Sequence, residues 1–65
     1  MNAKFEKAAN DGKVIKTQNF VTARGVYQLV FIRYKDEIYF YKHLNGKLVE
    51  CCNLSTAGIG YTEYK

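Results

Sequence analysis

The sequence has no proline and no tryptophan, and only one histidine, one methionine and two cysteines in 65 residues. Each shortage removes a class of protein. A chain without proline is neither a polyproline linker nor collagen-like. Two cysteines cannot build the multi-bridge framework of a small secreted scaffold. They are also adjacent, Cys51 and Cys52, and neighbouring strand residues point to opposite faces, so a bridge between them would close a strained ring. Reduced thiols fit that adjacency, and with them a reducing compartment. A single histidine, His43, excludes a two-histidine metal site within one chain. No apolar run approaches the ~20 residues of a membrane-spanning helix. The opening Met1-Asn2-Ala3-Lys4-Phe5-Glu6 lacks the apolar stretch of a secretory signal. The expectation is a cytoplasmic protein with no membrane partner.

What is present suits a folded domain. Apolar residues make up 48% and aromatics 15%, enough to bury a core and to argue against intrinsic disorder. The length allows one domain, 1–65, with 55–65 as a tail that is flexible, wraps the sheet or adds a fifth strand. Below about 70 to 80 residues, however, one core seldom supplies more than roughly 3–5 kcal/mol, and small proteins add disulfides, a metal or a second subunit.

The hydrophobic period changes at Gly12. Before it, Phe5, Ala8 and Ala9 stand at i, i+3 and i+4, an apolar stripe on a short helix over 2–10, with Asn2 as N-cap. Asp11-Gly12 ends that helix, with Gly12 in the left-handed conformation. After it, β-branched and aromatic residues predict four antiparallel strands near 13–22, 26–34, 38–44 and 47–54. The fold class is α+β, mostly β: a short N-terminal helix packed on a four-stranded antiparallel meander. Gly25 and Gly46 supply positive φ in turns. In 26–34, Leu29-Val30-Phe31-Ile32 is apolar on both faces, which predicts an interior strand covered on both sides.

Asn45-Gly46 is a strong hairpin signal and sets a register. A two-residue loop pairs Leu44 with Lys47, Lys42 with Val49, Phe40 with Cys51, Tyr41 with Glu50 and Tyr39 with Cys52. Ile38, Phe40, Leu44, Val49 and Cys51 then share the face expected to lie under Phe5. The second face carries Tyr39, Tyr41, His43, Leu48, Glu50 and Cys52. At 35–37 a three-residue loop, aligning Ile32 with Phe40, is preferred over a two-residue loop, which brings Leu29 and Phe31 to Phe40.

Catalytic chemistry finds little support. His43, Glu50 and Cys52 fall together on the second face, where they could activate a thiolate or hold a metal, but an exposed charge pair beside a half-buried cysteine is the plainer reading. Gly58-Ile59-Gly60 lacks the lysine and helix of a phosphate-binding loop. No catalytic, cofactor-binding or metal residues are assigned, and the chain is not expected to be an enzyme.

Two binding functions remain. One short helix covers one sheet face, yet apolar residues occur on both, so the uncovered Tyr-rich face or an open strand edge points to a protein-interaction module that forms a homodimer or docks on a larger protein. The competing explanation is that the tail around Ile59 and Tyr61 covers that face. The alternative function is a small basic nucleic-acid-binding domain. It rests on the net charge of +4 and on Arg33-Tyr34-Lys35 and Tyr39-Phe40-Tyr41-Lys42-His43, where bases and aromatics interleave. The basic residues are scattered along the chain, so charge does not decide between the two. Arg33, Tyr34, Tyr39, Tyr41 and Lys42 are the candidate contacts under either, though each is also an ordinary strand residue. The Lys-, Asn-, Tyr- and Ile-rich style is of the kind that AT-rich genomes encode, which with the small size suggests a bacterial or phage accessory protein.

Overall fold

The computed structural model describes residues 3–56 and 62–63. Helix α1 (Ala3–Asp11) precedes strands β1 (Lys13–Thr22), β2 (Gly25–Tyr34), β3 (Glu37–Leu44) and β4 (Lys47–Asn53), all within a residue or so of expectation. They form an antiparallel meander, to whose β4 edge the two-residue β5 (Thr62–Glu63) adds in the order β1-β2-β3-β4-β5. The expected N-cap Asn2 and most of the tail, 57–61 and 64–65, lie outside the described residues. No helix among the described residues is long and apolar enough to cross a membrane.

The turns fix the register. Asn45 (φ 50°) and Gly46 (φ 85°) make the expected two-residue reversal. The β2–β3 turn is also two residues long, not three: Lys35 (φ 50°) and Asp36 (φ 63°) both take the left-handed conformation, and Tyr34 pairs with Glu37. Phe31 therefore faces Phe40, and Ile32 faces Tyr39. A β-bulge then overturns the expected β3–β4 register. Leu44 pairs with Lys47 and His43 with Leu48, but Val49 is left without a partner. Beyond it Lys42 pairs with Glu50, Tyr41 with Cys51, Phe40 with Cys52 and Tyr39 with Asn53.

These two parities decide which face α1 covers. It lies on Tyr39 and Tyr41, not on Phe40 and Leu44 as expected from the unbulged hairpin. Phe5 meets the Tyr39 and Tyr41 rings edge-on, with centroids 5.5 and 6.3 Å away. The core is Phe5, Ala8, Ile32, Tyr39, Tyr41 and Cys51, with Val30, Tyr34 and Leu48 packed around it. A buried tyrosine needs a partner for its hydroxyl. Tyr41 Oη donates to the Phe5 carbonyl at 2.6 Å, and Tyr39 Oη donates to Glu37 Oε1 at 3.2 Å.

Gly12 connects α1 to β1 for a reason other than the expected one. The positive-φ glycines described are Gly25 and Gly46, so Gly12 is not a left-handed cap. It gives space: a Cβ there would stand 2.4 Å from Ile32 Cγ2 and 2.5 Å from the Ala8 carbonyl oxygen. The missing side chain lets the helix end press directly against β2.

Candidate binding face

Strand alternation assigns the side of the sheet opposite α1. In β2 the residues Tyr27, Leu29, Phe31 and Arg33 share it. Their partners are Phe20, Gln18, Lys16 and Lys13 in β1, and Leu44, Lys42, Phe40 and Ile38 in β3. A bulge at Ile15 brings Lys13 and Lys16, three apart in sequence, onto this one face. Lys47, Glu50 and Cys52 continue it in β4. The Leu29 and Phe31 side of β2 is therefore not the side that the helix covers, and the expected cover by the tail around Ile59 and Tyr61 lies outside the described residues. Phe20 is 42% exposed, and Tyr27, Leu29, Phe31, Phe40 and Leu44 are partly exposed.

Aromatic rings and cations interleave across this face. Phe20 stacks on Tyr27 with centroids 5.4 Å apart and planes 26° from parallel. Phe31 and Phe40 form a second pair at 5.2 Å. The Lys42 ammonium lies 4.8 Å from the Tyr27 ring centre, and that of Lys16 lies 6.0 Å from Phe31. Such contacts hold the long lysine side chains along the rings while their heads stay in water.

The charges that look scattered in sequence are sorted in space. Every lysine and arginine of β1 to β4, namely Lys13, Lys16, Arg33, Lys42 and Lys47, has the parity of the open face. Across those four strands the single carboxylate sharing it is Glu50, 3.5 Å from Lys42 Nζ. A solvated sheet face calls for polar residues, but nothing in that requirement selects one sign.

The candidates from sequence divide accordingly. Arg33 and Lys42 stand on the open face. Arg33 is also 3.5 Å from the exposed Asp36. Tyr39 and Tyr41 are buried beneath α1 and belong to the core. Tyr34 is on the α1 side, its ring 6.3 Å from that of Tyr39, with the Lys35 ammonium 5.3 Å from its own centre. Lys16, Phe20 and Tyr27 were missed, and Phe40 was expected on the core face. A two-residue turn at Lys35-Asp36, which sets Phe31 against Phe40, is the signal that leads to them.

The bulge also separates the one titratable constellation. His43 pairs with Leu48 on the α1 side, whereas Glu50 and Cys52 are on the open side. Burial, with Glu50 adding to it, pushes the Cys52 thiol up from its ordinary value, which keeps it protonated and a weak nucleophile at neutral pH. No group of three metal-ligating side chains occurs among the described residues. A depression lined by Ala3, Glu6, Lys7, Asn10 and Asp11 belongs to α1, on the other side of the molecule. Comparison of the chain with protein-family models, with curated proteins and with solved structures finds no match.

Proposed function

We propose that this chain is a non-enzymatic, cytoplasmic binding module whose contact surface is the open sheet face and whose ligand is single-stranded nucleic acid. The observation that carries this reading is the sorting of Lys13, Lys16, Arg33, Lys42 and Lys47 onto the face that also holds Phe20, Tyr27, Phe31 and Phe40. Unpaired bases stack on aromatic side chains whatever their sequence, at about 1–3 kcal/mol per base, while nearby cations track the phosphates. The two aromatic pairs supply two stacking platforms, and the lysines flank both. Lys42 is partly neutralised by Glu50 in a half-buried pair, whereas the Arg33–Asp36 pair is exposed and screened by water, so about four phosphate contacts are expected, with a slope of log K against log salt near −3.

Fluorescence anisotropy of a labelled oligothymidine or oligouridine tests this. Binding at ~50 mM salt that weakens steeply as salt rises is expected, and no binding at that salt removes the reading. A second reading, docking of the same face on a larger protein, is favoured by the apolar patch of Leu29, Phe31, Ile38, Phe40 and Leu44 between the cations. It predicts a stoichiometric protein partner in a bacterial lysate, insensitive to nuclease.

A further inference from the structure

The edge of the sheet carries a different signal. Nine of the ten residues of β1 are exposed, among them Val14, Ile15, Phe20 and Val21, the last at 80%. Natural edges are guarded by lysines, bulges or prolines, since an unguarded edge offers its backbone groups to another strand. The guards on β1 are confined to one half, where Lys13, Lys16 and the Ile15 bulge stand. From Thr17 to Ala23 there is no charged side chain. We propose that this unguarded half pairs, antiparallel, with the same segment of a second copy, across a two-fold axis at Asn19.

The hydrogen-bond pattern selects that centre. Asn45 N–H donates to the Val26 carbonyl, so Val26 turns its backbone polar groups toward β3 and Tyr27, Leu29 and Phe31 turn theirs toward β1. Their partners Phe20, Gln18 and Lys16 are thereby engaged, which leaves Thr17, Asn19 and Val21 pointing theirs outward. These three are symmetric about Asn19. Asn19 meets Asn19 of the second copy, and Thr17 meets Val21 of the second copy on both sides of the axis, so every outward donor finds an outward acceptor. The exposed Val21 is covered in the process.

Charge selects the direction. Antiparallel pairing about Asn19 sets Lys16 against Thr22 of the second copy, and the two Lys16 residues stand six positions, about 20 Å, apart. That exceeds the ~10 Å screening length at 0.1 M salt. In-register parallel pairing would instead place Lys16 beside Lys16. The antiparallel contact is also self-complementary, so it closes as a dimer. Because its axis is perpendicular to the sheet, both open faces fall on the same side and form one continuous surface, with α1 of each copy on the other. A second subunit is also one of the devices by which domains of this size gain stability.

Sedimentation equilibrium without nucleic acid, up to ~1 mM where weak interfaces associate, tests the dimer. The expected mass is twice the 7.5 kDa of the chain. Asn19→Pro removes an outward N–H that has no role inside the monomer and is expected to return the mass to one chain. Thr17→Lys with Val21→Lys places like charges opposite each other and should also give monomer, whereas Thr17→Glu with Val21→Lys places opposite charges there and should keep the dimer. Circular dichroism confirms that each variant is folded. A wild-type monomer, a larger aggregate, or a dimer that survives both Asn19→Pro and the double lysine variant overturns the proposal. Oligonucleotide binding by a monomeric protein would leave the binding function standing while this interface falls.

Discussion

The hydroxyl of Tyr41 donates to the backbone carbonyl of Phe5 at 2.6 Å, joining the third strand to the first turn of the helix. This contact ties α1 to the tyrosine side of β3, and by doing so leaves Phe31, Phe40 and the strand lysines on the other. Tyr41→Phe keeps the ring and loses the bond. A cost of about 1–2 kcal/mol is expected from a buried hydrogen bond, read as a lower urea midpoint with an unchanged slope.

The same tyrosine makes stability sensitive to alkali. Burial, with smaller contributions from Cys51 and Tyr39, pushes the Tyr41 hydroxyl well above its ordinary value of 10.0. The unfolded chain then ionises first, so this contribution is intact below pH 10 and is lost as pH rises beyond it. Tyr39 is raised in the same direction, by burial and by Glu37. Thermal unfolding from pH 9 to 12 should show a falling melting temperature, shallower in Tyr41→Phe than in the wild type. Parallel curves would contradict this assignment.

Acid acts through Glu37. Its carboxylate is held below the ordinary 4.5 by a hydrogen bond from Asn53, then by Tyr39 and Lys4, against an opposing effect of burial. A lowered value means stabilisation that is complete above pH 4.5 and lost as pH falls below it. Glu37→Gln is expected to flatten the melting temperature between pH 5 and 2, while a drop as steep as that of the wild type would assign the acid sensitivity elsewhere.

Two glycines separate space from conformation. Gly46 has φ +85° and nothing within 4 Å of a built Cβ, so Gly46→Ala meets strain alone, of the order of 1 kcal/mol. At Gly12 an added Cβ meets Ile32 and the immobile Ala8 carbonyl, and overpacking of this kind costs about 1–3 kcal/mol. Urea midpoints should fall further for Gly12→Ala than for Gly46→Ala. The reverse order would mean that the helix end is not pressed on the sheet.

The elements were legible in the sequence because each is bounded by a local signal: the change of period at Gly12, Gly25 in the first turn, Asn45-Gly46 in the third. The faces were not, because a face depends on parity, and one residue inverts it. Lys35 and Asp36 adopt a left-handed pair without glycine, and Val49 bulges with no sequence mark, so the side expected to be core became the open one. Tyr39 and Tyr41 were read as contacts for the same reason. The strand cations are scattered along one dimension, and gather only when alternation and the Ile15 bulge are known.

The central claim is that the open face binds single-stranded nucleic acid, and the salt dependence of oligothymidine binding tests it most directly when measured for the wild type, Lys16→Ala on that face and Lys7→Ala on α1. The account predicts a slope near −3 for the wild type, shallower by about 0.7 in Lys16→Ala, and unchanged in Lys7→Ala. Absence of binding at ~50 mM salt, or equal weakening by the two substitutions, would contradict it.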